Sequence, residues 1–181
     1  MPLPGIHCMT LILGLDPGSR RTGFGLIQVT GTTLEYISSG TIHIDETASW
    51  PDRLHEVFDS VREVIAKYRP REVAVEHVFM GKSAGSALKL GQARGAAIVA
   101  ATQENLPVFE YEARKIKQAV VGSGAAEKKQ VQQMVKMLLK LPAIPREDAA
   151  DALAVAICHA HTQKSLIRLA KGKGFSKSRL R

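Results

Sequence analysis

The chain alternates between short apolar runs and longer segments with helical periodicity, and each change of period marks an element. "LILGL" (Leu11 to Leu15) is an apolar run stopped by Asp16-Pro17-Gly18, which reads as a buried strand entering a turn. "TGFGLIQVTG" and "TLEYISSGTIHI" read as two more strands, with Gly31-Thr32 as the hairpin turn between them, so the chain opens on an antiparallel meander. In "SWPDRLHEVFDSVREVIAKYRP" the residues Leu54, Val57, Phe58, Val61, Val64 and Ile65 recur at spacings of three and four, the apolar stripe of an amphipathic helix. Asp52 and Glu56 lie toward its start and Lys67 and Arg69 toward its end, as the helix dipole favours, and Pro70 stops it. "EVAVEHVFM" is a second buried strand, and "GKSAGSALKLGQARGAAIVAATQEN" is a loop passing into a helix of small residues. "PVFEYEA" is a short strand, "VGSGAAEKKQVQQMVKMLLKL" is a glycine loop opening a helix, and "REDAADALAVAICHA" (146–160) is a last helix prepared by Pro145. A meander followed by strand–helix units predicts a mixed five-stranded α/β sheet with helices on both faces.

Length and charge sharpen this. At 181 residues the chain fits one domain. The formal net charge is +8, but the seven Lys and Arg residues from Lys164 to Arg181 meet no acid, so residues 1–163 carry only 8 − 7 = +1. The excess is a basic segment of the kind that contacts nucleic acid phosphates, or else a solubilising tail. Two cysteines far apart, Cys8 and Cys158, make no disulfide framework and point to a reducing compartment. No apolar run approaches the roughly 18 residues that span a bilayer. "MPLPGIHCM" lacks the pattern of a secretory signal, so the expected setting is the cytoplasm, with Met9 an alternative start and residues 1–9 poorly ordered.

Against this background four acids are out of place. Asp16 ends the first buried strand, Glu76 lies in the second, and Asp148 and Asp151, three apart, share a face of the alanine helix. Each has a bland reading: a turn residue, a solvent-facing strand position, compensation of the helix dipole, or a buried ion pair. Asp151 resists it most, being in the second turn with alanines at 149, 150 and 152. Taken together, adjacent central strands and a covering helix would bring four carboxylates into one place, and nothing in the near-balanced body is obviously placed to neutralise them. Mg²⁺ takes such oxygen ligands, and two divalent ions roughly 4 Å apart serve phosphodiester displacement. The alanines would then leave room for ions and a DNA strand.

"LGLDPGSRRTGFGLI", "VAVEHVFMGKSAGSALKLGQARGAAIVAA", "PVFEYEARKIKQAVVGSGAAEKKQVQQMV" and "LLKLPAIPREDAADALAVAICHAH" resemble the RuvC family of Holliday junction resolvases, in order and spacing, from about Leu11 to His161. The resemblance implies a ribonuclease H-like nuclease domain over 10–163, followed by a basic tail over 164–181. It implies a homodimer that nicks two strands of like polarity symmetrically at a four-way DNA junction with Mg²⁺ or Mn²⁺, leaving 5′-phosphate and 3′-hydroxyl ends. By position, the metal ligands would be Asp16, Glu76, Asp148 and Asp151, with Asp16 touching both ions. Phe79 would stack on a base, and Lys82, Lys117 and Lys128 would contact DNA. Lys128 also stands in the first turn of a helix, where an anion is already favoured. The small-residue helix near 86–103 would form the dimer interface, and the RuvA–RuvB branch-migration complex would be a partner. A short T-rich cleavage preference is a further expectation from the family.

Rival readings are weaker. "GKS" at 81–83 fails as a P-loop because the loop's first glycine would fall on Glu76. "DPGSRRTG" is similar to the first phosphate loop of actin-like ATPases, which need a second lobe. A non-catalytic junction-binding module predicts binding without nicks. A related ribonuclease H-like family acting in RNA processing would lack the block after Glu76. "CHAH" (158–161) lacks a second cysteine pair for zinc and reads as packing.

Overall fold

The computed structural model describes residues 9–77 and 84–174, the last four by their backbone alone. Strands β1 (Met9–Asp16), β2 (Arg21–Thr30) and β3 (Thr33–His43) form the expected meander, with Gly31 at φ 60° in the hairpin turn. Met9, the last residue of the segment expected to be poorly ordered, pairs with Thr30. Helix α1 (Trp50–Tyr68) is capped by the Ser49 side chain, which accepts from the Asp52 amide. Then follow β4 (Glu72–His77), α2 (Ala84–Gln103) and β5 (Val108–Glu112). The sheet order is β3-β2-β1-β4-β5, with β4 parallel to both β1 and β5.

Helix α3 (Ala113–Val121) follows β5 directly and was not anticipated. Its apolar signal is little more than Ile116 and Val120, one turn apart and both buried, too short a pattern to separate from a loop. Helix α4 (Lys128–Leu138) starts at the predicted lysine. Helix α5 (Glu147–Gly174) runs on past Gln163, so the first eleven residues of the basic segment, 164–174, are helical rather than a separate tail.

Each face of the sheet has its own core. Leu13, Leu15, Val73 and Val75 point to α1 and α2, while Ile12 and Ala74 point to α3, α4 and α5. Side chains alternate along a strand, so Asp16 and Glu76 fall on the α5 face. Helix α5 lies very close to that face. A Cβ on Gly14 would stand 2.1 Å from the Ala152 carbonyl oxygen, and one on Gly23 would stand 2.1 Å from that of Asp148. Ala149, Ala150, Ala152, Ala154 and Ala156 are at most 5% exposed. These alanines serve close packing, and Ala154 also lines a cavity beside Asp16, Glu76 and Asp151.

The "CHAH" segment is packing, as expected. Cys158 and His159 are fully buried. His159 Nε2 donates to Glu72 Oε2 (2.8 Å), which leaves Nδ1 to accept from the Tyr111 hydroxyl (2.7 Å). Among the described residues no helix is long and apolar enough to cross a membrane.

Candidate active site

Parallel pairing of β1 with β4 puts Leu15 beside Val75, and Asp16 and Glu76 are the next residues along the two strands. Helix α5 starts above these strand ends and brings in Asp148 and Asp151 from its first turns. All four acids come together at one end of the sheet. Asp16 and Glu76 line both of two adjoining cavities. A cleft of about 590 Å³ adds Asp148, and a smaller one of about 260 Å³ adds Asp151 together with Lys117 and Lys128.

The electrostatics show a crowded set of carboxylates. Asp16 is pushed up to about 8 by burial first, and then by the negative charges of Glu76, Asp151 and Asp148, against the opposing pull of Lys128. Glu76 is also raised, by burial and by Asp151, although its hydrogen bond with Asp16 works the other way. Both carboxyls are raised, so the pair keeps a proton to higher pH than free carboxylates do. Burial likewise raises Asp151, with Lys128 opposing. The Thr41 hydroxyl donates to Asp148 Oδ2 at 3.4 Å.

Lys128 corrects the expectation that nothing is placed to neutralise the acids. Its Nζ lies 2.5 Å from Glu147 Oε1 and 3.6 Å from Asp151 Oδ2. Glu147 is thus more than a dipole-compensating residue, because it holds Lys128 beside Asp151. The pairing explains why Lys128 is shifted upward, with the Glu147 hydrogen bond the largest cause. Lys117 stands near enough to Glu76 to lower it.

Among the described residues no three Asp, Glu, His or Cys side chains converge as ligands on one point. The ammonium of Lys128 partly offsets the charge of the acids. The donor set still fits a hard divalent cation: it is all carboxylate oxygen, partly buried, and so placed that burial and then neighbouring negative charges raise Asp16 to about 8. Phe79 and Lys82 lie outside the described residues. Three residues that the sequence reading did not single out, Arg21, His77 and Arg114, line the larger cleft. Arg114 lies in the first turn of α3, so its place was hidden with that helix. Arg21 adjoins the Asp16-Pro17-Gly18 turn, a weak signal that a cation stands near the acids.

Sheet order, strand directions and acids at the ends of adjacent central strands define a ribonuclease H-like α/β protein. A family model described as crossover junction endodeoxyribonuclease RuvC matches residues 12–159. The chain belongs to that family. Curated crossover junction endodeoxyribonucleases RuvC are similar along nearly their whole length. The one from Saccharophagus degradans is 60% identical over 172 residues, 95% of this chain and 99% of that protein. The one from Teredinibacter turnerae is 60% identical over 175 residues, covering 94% and 99%. Among solved structures, T. thermophilus RuvC in complex with a Holliday junction substrate superposes with a TM-score of 0.81 at 34% identity, covering 86% of this chain and 96% of that one. The yeast mitochondrial resolvase Ydc2, at 9% identity and a TM-score of 0.64, shares the fold.

Proposed function

We propose that this protein is a divalent-metal-dependent endonuclease that resolves four-way DNA junctions by paired symmetric nicks, leaving 5′-phosphate and 3′-hydroxyl ends. The observation that carries the reading is the meeting of Asp16, Glu76, Asp148 and Asp151 at the open end of β1 and β4, in a chain of this family. These four would hold Mg²⁺, or Mn²⁺ in its place, as two ions with DNA bound. Such ions, when held there, supply Lewis acidity and an activated water for in-line displacement at phosphorus. The chain's own residues do the rest. To serve as a ligand, the Asp16 carboxyl, raised by burial and by its neighbours, would have to be ionised. Thr41 orients Asp148. Lys117 and Lys128 face the acids across the smaller cavity and meet the phosphate charge. Lys128 can leave Asp151 for a phosphate because Glu147 retains it nearby.

Junction DNA as substrate is supported by the relative solved with a Holliday junction. Homodimerisation through α2 is supported by its outer face: Leu88 and Val99 are 65% and 56% exposed, and a Cβ added at Gly91 or Gly95 would meet nothing within 4 Å. A C2 dimer would match the two-fold symmetry of an open junction. Stacking by Phe79, phosphate contact by Lys82, a RuvA–RuvB partner and a cytoplasmic setting rest on family resemblance.

The test is an end-labelled synthetic junction with a mobile core, incubated with the protein in Mg²⁺. Paired nicks at symmetric positions are expected. Asp148→Asn should abolish them and keep junction binding. Binding by the wild type without nicks in Mg²⁺ or Mn²⁺ overturns the enzymatic reading in favour of a junction-binding module.

A further inference from the structure

We propose that Arg94 is a positioning residue that holds the Glu76 end of β4 in place from the far side of the sheet. The ladder between β1 and β4 stops at Leu15 and Val75, one residue before the two acids. Beyond that point the paired strand holding β4 is β5, where Glu76 sits opposite Tyr111 and His77 opposite Glu112. The strand end that needs the most accurate placement thus has strand support on one side.

Arg94 supplies what is missing. Its Nε donates to the Glu76 carbonyl oxygen at 3.0 Å, and its Nη2 is ion-paired with the Glu110 carboxylate. The side chain is only 17% exposed, and it leaves α2 between the buried Ala93 and Ala97, so the helix core fixes its root. Glu110 is opposite Val75 and shares its α2-facing side of the sheet, whereas the Glu76 side chain faces α5. Arg94 therefore grips the backbone of Glu76 from one face and leaves its carboxylate free on the other. The planar guanidinium makes this a three-part device. Glu110 sets the orientation of the fork, and the fork aims Nε at the carbonyl. A lysine, with a single compact ammonium, cannot make both contacts in that geometry. Tolerances explain the need: displacing a reacting group by about 1 Å costs on the order of a hundredfold in rate.

The idea rests on the metal-nuclease reading for its purpose, but its main test does not need cleavage. Mn²⁺ binding to the full-length, DNA-free protein is titrated by electron paramagnetic resonance for wild type, Arg94→Gln, Arg94→Lys and Glu110→Gln. Losing a residue that orients a metal ligand costs about 10- to 100-fold in affinity, and that loss is expected for Arg94→Gln, with circular dichroism and junction affinity in EDTA unchanged. Arg94→Lys should lose nearly as much, and Glu110→Gln less but in the same direction. Wild-type Mn²⁺ affinity in a folded Arg94→Gln protein overturns the proposal. So does full restoration by Arg94→Lys, which would reduce the role to charge. Should Arg94→Gln fail to fold, unchanged Mn²⁺ affinity in Glu110→Gln overturns it instead. A wild type that binds Mn²⁺ but nicks no junction would sink the resolvase reading and leave the Arg94 titration decisive on its own.

Discussion

Asp16 ties the electrostatics of the site to measurable behaviour. Its carboxyl titrates at about 8 in the folded protein, against about 3.9 in an unfolded chain. Between these values the native state binds the extra proton, so without metal the stability falls as pH rises from about 4 to about 8. Glu76 and Asp151 are raised and add in the same direction. Lys128 is raised from an already high value, so its contribution is lost only at alkaline pH. Thermal melts in EDTA across this range should show the midpoint dropping, with the drop reduced in Asp16→Asn. Because a cation must displace the proton, Mg²⁺ should raise the wild-type midpoint more at pH 8 than at pH 6; an equal rise at both would refute proton–metal competition. The acids were legible in the sequence because a carboxylate in an apolar element is an anomaly wherever it occurs. The ion pair of Lys128 with Glu147 and Asp151, and the grip of Arg94 on Glu76, were not legible. They join residues far apart in the chain, and no local pattern encodes them.

Among the elements, α5 shows how composition marks a buried helix without saying what that helix packs against. Its alanine run marks a buried helix, as the sequence suggested. What the alanines meet is the sheet, where Gly14 and Gly23 have no side chain because α5 backbone fills that space. Gly23→Ala should therefore destabilise by about 1–3 kcal/mol or more, since its Cβ would press on the Asp148 carbonyl and neither backbone can yield alone. Junction cleavage should fall with it, because the displaced turn carries Asp148. Gly85→Ala, in the first turn of α2 and outside the 86–103 stretch expected at the dimer interface, is the contrast. In α2 its Cβ meets nothing within 4 Å, and replacing a helical glycine gains up to about 1 kcal/mol. Denaturant midpoints for the two variants decide the matter, and equal midpoints would refute the close-packing account. Strands and amphipathic helices were legible from their period, whereas α3 was missed because nine residues carry too few apolar positions to show one.

For the whole molecule, the sheet separates two cores, with the acids at the end where β1, β4 and α5 meet. The basic segment continues α5 through Gly174, with Lys164 half-buried and Arg168 exposed. Truncation after Gln163 removes seven basic residues. If they meet phosphates, junction affinity should weaken, and the slope of log K against log salt should flatten by about 0.9 per lost contact. An unchanged slope in filter-binding or anisotropy titrations would leave this segment a solubility device.

By itself the sequence determined the order and type of most elements, the family, and which acids are anomalous, because hydrophobic period and misplaced charge are local properties of a chain. Tertiary structure alone decided that Asp16 and Glu76 share one face, that Lys128 offsets the acids, and that α5 lies against glycine backbone. Strand pairing and helix docking set those distances, and they depend on residues tens to more than a hundred positions apart.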